Sequence, residues 1–229
     1  MDDDRDLRRF SNRCRLFPLP KVVLFPHAVL PLHIFEPRYR QMTEDALADD
    51  NLVAIVQQRV STVGAADALG SPPIERVACL GRILKHERLP DGRFNFLLLG
   101  RKRVRLTREV PTDRLYRVAE AEILDDLDDD DPEPHRSELI ALFRRAFERQ
   151  GALDSDLADL LDPTLPLGVL TDIVTHALGL PAEVKQLLLA ETRVPVRSDT
   201  LLSILRRIAG HEPGAAPDGR SFPPPFSLN

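Results

Sequence analysis

What this sequence does not contain narrows it first. It has no apolar run of the roughly 18 residues that a membrane-spanning helix needs. Its opening, MDDDRDLRRF, is charged and lacks the apolar segment of a secretory signal. Cysteine is scarce: Cys14 and Cys79 suit reduced thiols in the cytoplasm, the expected location, better than a disulfide framework. Positive charge is not in excess either. A net charge of −5 and a pI near 5.7 argue against nonspecific binding to nucleic acid or anionic lipid.

Catalytic signatures are missing as well. There is no G-x-x-x-x-G-K-[ST] loop to cradle a phosphate and no G-x-S-x-G nucleophile elbow. His27, His33, His86, His135, His176 and His211 form no H-x-x-x-H, and the cysteines form no C-x-x-C, so no metal site or other cofactor is expected. His33 with Glu36 reads as a strand-end histidine beside a helix-start carboxylate. Cys79, inside an apolar strand, reads as a small buried hydrophobe.

What is present is an ordinary globular composition, 43% hydrophobic and 29% charged over 229 residues, enough for one or two domains with a core. The chain is organised around Leu16–Arg40, LFPLPKVVLFPHAVLPLHIFEPRYR. Three apolar pulses are punctuated there by Pro18, Pro20, Pro26, Pro31 and Pro37. Proline lacks a backbone N–H and disfavours helix in the residue before it. The stretch is therefore expected to form short extended segments, neither one long helix nor a central-sheet strand.

Residues 1–14 read as a flexible arm. Pro37–Asp49 reads as a helix with Tyr39, Met42, Ala46 and Leu47 on its apolar face. Leu52–Gln57 is a short β-branched run and reads as a buried strand. Val60–Pro73 reads as a loop. Ile74–Leu89 and Arg93–Glu109 are two β patterns joined by Pro90-Asp91-Gly92, a strong hairpin signal. Tyr116–Leu124 adds a last strand, closing a β-rich lobe over residues 15–124.

Residues 125–132 begin with the run DDLDDDD, and like charges repel and stay solvated, so they read as a linker. Residues 133–210 read as a helical lobe. Asp131-Pro132-Glu133 starts its first helix, and Leu139, Ile140, Phe143, Ala146 and Phe147 recur at helical spacing. Asp156–Leu161, Leu167–Leu178, Pro181–Glu191 and Ser198–Ala209 are further helices, the last expected to be capped by Ser198. Residues 211–229, with five prolines, read as a disordered or polyproline extension.

LFPLPKVVLFPHAVLPLHIFEPRYRQM resembles the opening of the N-terminal, substrate-binding domain of Lon-type ATP-dependent proteases. VACLGRILKHERLPDGRFNFLLLGRKRVRL is similar to that family's long hairpin, and LPAEVKQLLLAETRVPVRSDTLLSIL to its closing helices. The resemblance runs over roughly residues 15–208. It implies an α+β fold: a β-rich, PUA-like pseudobarrel lobe followed by a C-terminal helical bundle. It also implies a non-catalytic module that binds unfolded or peptide segments of other proteins, an adaptor in protein quality control serving a separate protease or chaperone. Nothing in the sequence resembles the family's ATPase or Ser–Lys protease domain, so neither ATP hydrolysis nor peptide cleavage is expected.

Two candidate surfaces follow. In the first, Phe25, Pro26, Leu30, Leu32, Phe35 and Arg38 line a peptide-binding groove, since short proline-broken strands leave edges onto which an extended peptide can add. The competing reading is that these side chains fill the core, and exposure decides between them. In the second, Arg101, Arg103 and Arg105 share one face of a strand and hold RNA or a nucleotide, which the PUA-like relationship brings into view. Its competitor is a solvated strand face balanced by carboxylates. No aromatic residue interleaves with these arginines for stacking.

Overall fold

The computed structural model describes Leu7 and residues 10–59, 72–127, 133–149, 162, 164–210 and 227–228. In chain order its elements are β1 Arg13–Leu19, β2 Val29–Ile34, α1 Pro37–Leu47, β3 Leu52–Gln57, β4 Val77–Arg88, β5 Phe94–Val110, β6 Val118–Leu124, α2 Glu133–Arg149, α3 Leu167–Ala177, α4 Ala182–Ala190, α5 Val194–Gly210 and β7 Ser227–Leu228. The fold is α+β. Two compact units form: Met1–Asp125 with Leu180–Ala190 and Phe226–Asn229, and Asp126–Gly179 with Glu191–Pro225.

In the first unit the strand order is β4-β3-β1-β6-β5-β2-β7, and β4 also pairs with β5. The strands β4-β3-β1-β6-β5 therefore close into a ring. Its interior holds Cys14 and Leu16 of β1, Leu52, Ala54 and Val56 of β3, Ala78 and Leu80 of β4, Val104 of β5, and Ala119 and Ala121 of β6. These residues alternate along their strands, the period that puts every second side chain on one face. The expected hairpin is present, with Gly92 at φ 82° in its turn and Arg88 paired with Phe94. Only glycine takes that backbone conformation without cost.

One proline of Leu16–Arg40 does lie in a strand with a neighbour on each side. Pro18 lies inside β1, which has β3 on one side and β6 on the other. The β6 ladder ends earlier, at the bond from Leu16 N–H to the Arg117 carbonyl (2.9 Å). Backbone N–H groups two residues apart point the same way, so the N–H that Pro18 lacks would have faced past the end of that ladder.

Both cysteines are buried free thiols. Burial, reinforced by the Asp50 carboxylate, pushes the Cys14 thiol up to about 12 from its ordinary 9.0, against the pull of Arg15. At pH 8 the folded protein should then hold roughly a thousandfold less Cys14 thiolate than the unfolded chain. Iodoacetamide should leave Cys14 unmodified in native protein and alkylate it within minutes in guanidinium, as read by mass spectrometry.

In the second unit Leu139, Ile140, Phe143 and Ala146 of α2, Leu170 and Val174 of α3, and Leu201, Leu202 and Leu205 of α5 are buried. The expected cap at Ser198 is not there. α5 starts at Val194, with Pro195 in its first turn, and the Ser198 hydroxyl donates back to the Pro195 carbonyl at 2.9 Å. Proline tolerates a first turn because its missing N–H would have had no partner there.

Other boundaries differ from the sequence reading. The strand expected to follow residue 14 begins at Arg13, and Leu180–Ala190, read as part of the helical lobe, groups with the sheet. Ser227–Leu228, read as part of a disordered extension, forms β7. The expected helix at Asp156–Leu161, most of the loop at Val60–Pro73 and the Phe147 side chain lie outside the described residues.

Candidate functional site

Ring closure leaves few strand edges for a partner to use. β2 lies outside the ring, paired antiparallel to the first half of β5 from Val29↔Leu99 to Ile34↔Phe94. On its other side, among the described residues, it meets only β7, in parallel, with Leu32 opposite Ser227 and His33 opposite Leu228. Across the β4–β5–β2 ribbon, β4 has an edge of its own, because its register with β3 ends at Arg82. That edge reads Lys85-His86-Glu87-Arg88, the charged sequence with which proteins discourage strand addition. β2 reads Val-Leu-Pro-Leu-His-Ile: it carries no lysine, arginine or carboxylate, and Pro31 removes one N–H from its ladder.

Alternation along β2 sorts the candidate residues. Leu30, Leu32 and Ile34 point inward and are buried, as are Phe25 and Pro26. Four of the six expected groove residues are therefore core: Leu30 and Leu32 because β2 turns its even-numbered side chains under the sheet, Phe25 and Pro26 in the segment that leads into it. Phe35 and Arg38 are the two that stay exposed, Phe35 at 41%. Arg38 pairs with Glu36 at 2.7 Å and stacks 4.5 Å over the Tyr39 ring, whose hydroxyl is raised mainly by burial.

The outward face carries Val29, Pro31 and His33, aligned with Leu99, Leu97 and Asn95 of β5. Val29 is 43% exposed, and across β5, at the bulge in β4, Leu84 is 49% exposed. His33 is fixed from both sides: its Nδ1–H donates to Asn95 Oδ1 at 2.6 Å, and its Nε2 accepts from Arg93 at 3.3 Å. Arg93 also holds Asp91, whose carboxyl is lowered first by the Arg93 backbone N–H and then by its side chain. The face is apolar at the Val29 end and polar at the hairpin tip.

The basic strand is broken up by its surroundings. Arg103 is only 3% exposed, and its Nε donates to the Leu189 carbonyl at 2.9 Å, in the last turn of α4. Carbonyls there have no helical partners, and the helix dipole favours a cation. Lys102 pairs with Asp125 at 2.8 Å and Arg108 with Glu120 at 2.7 Å. Arg105 is exposed and Arg101 half-buried. The three arginines do not form one open face, because α4 covers the middle one.

Comparison with known proteins fits this geometry to a family. The family model of the ATP-dependent protease La (LON) substrate-binding domain matches residues 13–207. The chain belongs to that family. It is 28% identical over 169 residues to Lon protease 2 of Syntrophobacter fumaroxidans, covering 72% of this chain and 21% of that protein. It is 25% identical over 198 residues to Lon protease of Anaeromyxobacter dehalogenans, covering 84% of this chain and 23% of that protein. It thus spans about a fifth to a quarter of the length of these curated relatives.

Among solved structures it matches the Lon N-terminal domain protein from Xanthomonas campestris with TM-score 0.62 and 23% identity, covering 83% of this chain and 97% of that one. It also matches the N-terminal domain of Mycobacterium avium complex Lon protease, with TM-score 0.64 and 14% identity, covering 84% and 97%. At these identities the structures share the fold.

This LON substrate-binding domain also has a concavity of about 660 Å³, where the end of β3 and the start of β4 meet α4, lined by residues including Gln57, Arg59, Glu75, Gln186 and Leu187. Arg59 and Glu75 pair there at 3.2 Å. Among the described residues its lining has no serine, cysteine or histidine; its carboxylates are Glu75 and Glu183. Among the described residues no group of three or more His, Cys, Asp or Glu could hold a metal ion, and no helix is long and apolar enough to cross a membrane.

Sequence reasoning missed Val29, Leu84 and the Ser227–Leu228 pairing. The uncharged outward positions of VLPLHI are a signal that could have found Val29. Leu84 depends on a bulge that no local pattern announces.

Proposed function

We propose that this domain recognises protein substrates by accepting an extended, apolar segment along the outer edge of β2. The observation that carries the reading is that edge: it is free of charged residues, flanked by exposed Val29 and Phe35, and already bears a parallel strand. Main-chain hydrogen bonds would supply affinity, and alternate side chains of the guest would lie beside Val29, Pro31 and His33. The description of the family as substrate-binding supports it. The ring closed by β4 and β5 supports the PUA-like character that the resemblance implies. In this reading the domain contributes recognition in the cytoplasm as an adaptor, and hydrolysis of ATP or peptide belongs to other domains or chains.

The test is fluorescence anisotropy with a labelled peptide of alternating valine and serine. Val29→Lys with Phe35→Ser should weaken binding about tenfold or more, by placing charge on the edge and removing apolar area. Both positions are exposed, so the unfolding midpoint should hold within about 0.5 kcal/mol. Unchanged affinity in this variant would remove the β2 edge as the site.

A further inference from the structure

We propose that the chain carries its own competitor for this edge: Ser227–Leu228 occupies β2 in cis and must leave before a substrate strand can pair there. The inference rests on the reading above. Ser227–Leu228 belongs with the sheet, whereas α5, the last helix before it in the chain, belongs with the helical unit. Their placement is a ladder, with Ser227 opposite Leu32 and Leu228 opposite His33 in parallel register. That register meets β2 midway along the uncharged edge, so a longer guest strand could not form there while β7 remains.

The ladder is also built to be short. Pro223, Pro224 and Pro225 stand immediately before Phe226, and proline offers no N–H to extend a ladder. A two-residue pairing is weak as a free peptide, but tethering raises its effective concentration to the order of millimolar. Weak intrinsic pairing with high local concentration makes an occupant that excludes poor guests and yields to good ones. The charged edge of β4 needs no such cover, whereas the β2 edge, with Pro31 as its one interruption, is more open to self-association without one.

The experiment compares the intact chain, a chain ending at residue 210, and the full-length double variant Ser227→Pro, Leu228→Pro, which abolishes the ladder without shortening the chain. Two probes are used: the labelled valine–serine peptide and a labelled peptide of residues 220–229, RSFPPPFSLN. Both altered chains should bind the valine–serine peptide about tenfold more tightly than the intact chain, given an effective concentration well above the intrinsic dissociation constant of the ladder. RSFPPPFSLN should bind the shortened chain and displace the other probe from it. Backbone amide exchange in Val29–Ile34 should quicken in both altered chains. Equal binding by all three chains, with unchanged exchange, overturns the cis competitor and leaves the edge reading standing. No binding of the valine–serine peptide even by the shortened chain overturns the edge reading, and this inference with it.

Discussion

Gly100→Ala should lower the unfolding midpoint of this domain by about 10 °C, through a loss of roughly 3 kcal/mol. A Cβ there would overlap the backbone carbonyl oxygen of Phe25 and stand 3.1 Å from Cys79 Sγ. The Phe25 carbonyl cannot turn aside cheaply, because it accepts from Ala28 N–H at 3.3 Å and the residues just after it are pinned to Gly100. His27 N–H donates to the Gly100 carbonyl and Gly100 N–H donates to the Ala28 carbonyl, each at 2.8 Å. Relieving the overlap therefore breaks these bonds and lifts the loop that delivers the chain into β2. Binding at the β2 edge should fall together with stability. Gly179→Ala is the control: nothing lies within 4 Å of its added Cβ, and the midpoint should stay within about 0.5 kcal/mol of native. Thermal unfolding followed by circular dichroism decides it, and a native midpoint for Gly100→Ala would show that the approach of Phe25 is not a constraint.

Gly100 also marks the limit of what could be read from the sequence. Within LLLGRKRV it reads as one more strand residue, and nothing local announces a backbone 75 positions earlier resting against it. Signals that act over a few residues were legible. Pro90-Asp91-Gly92 placed the β4–β5 turn, Pro37 opened α1, and the β-branched run LVAIVQ became the fully buried β3. Side-chain periodicity was legible too, but it assigns faces and does not say what covers them. Arg103 looked like one of three arginines on an open face until α4 proved to lie over it. Leu30 and Leu32 looked like groove residues because a buried and an exposed apolar strand face are spelled alike. Asp126 sat in a run read as solvated linker, yet its carboxylate serves a buried guanidinium in the helical unit.

That guanidinium carries the largest single-residue effect expected in the helical unit. Arg197→Ala should cost about 3–5 kcal/mol, the range for deleting one member of a buried ion pair. Arg197 is fully buried, and each of its five N–H groups has an acceptor. Nη1 donates to Asp126 Oδ1 (3.0 Å) and the Glu191 carbonyl (2.9 Å), Nη2 to Asp126 Oδ2 (2.6 Å) and the Gly168 carbonyl (3.2 Å), and Nε to Thr171 Oγ1 (3.0 Å). Asp172, only 1% exposed, faces Nε at 3.6 Å. One side chain thus ties the start of α3 and the first turns of α5 to the segment that follows β6. Removing it takes the guanidinium away from two carboxylates, and the buried Asp172 cannot turn to water for compensation. Arg197→Lys keeps the charge but replaces a planar fork with a single ammonium, and should recover less than half of the loss. Arg197→Met combined with Asp126→Leu and Asp172→Leu should recover most of it, since an apolar core avoids the desolvation of all three charges. Arg206→Ala is the contrast: it breaks a bidentate pair with Glu138 that is largely solvated, and should cost no more than about 0.5 kcal/mol. Urea unfolding of the native chain, these four variants and Arg197→Met alone separates the cases. If Arg197→Met alone were as stable as the native chain, the five bonds would be fixing the arrangement of these helices without stabilising it.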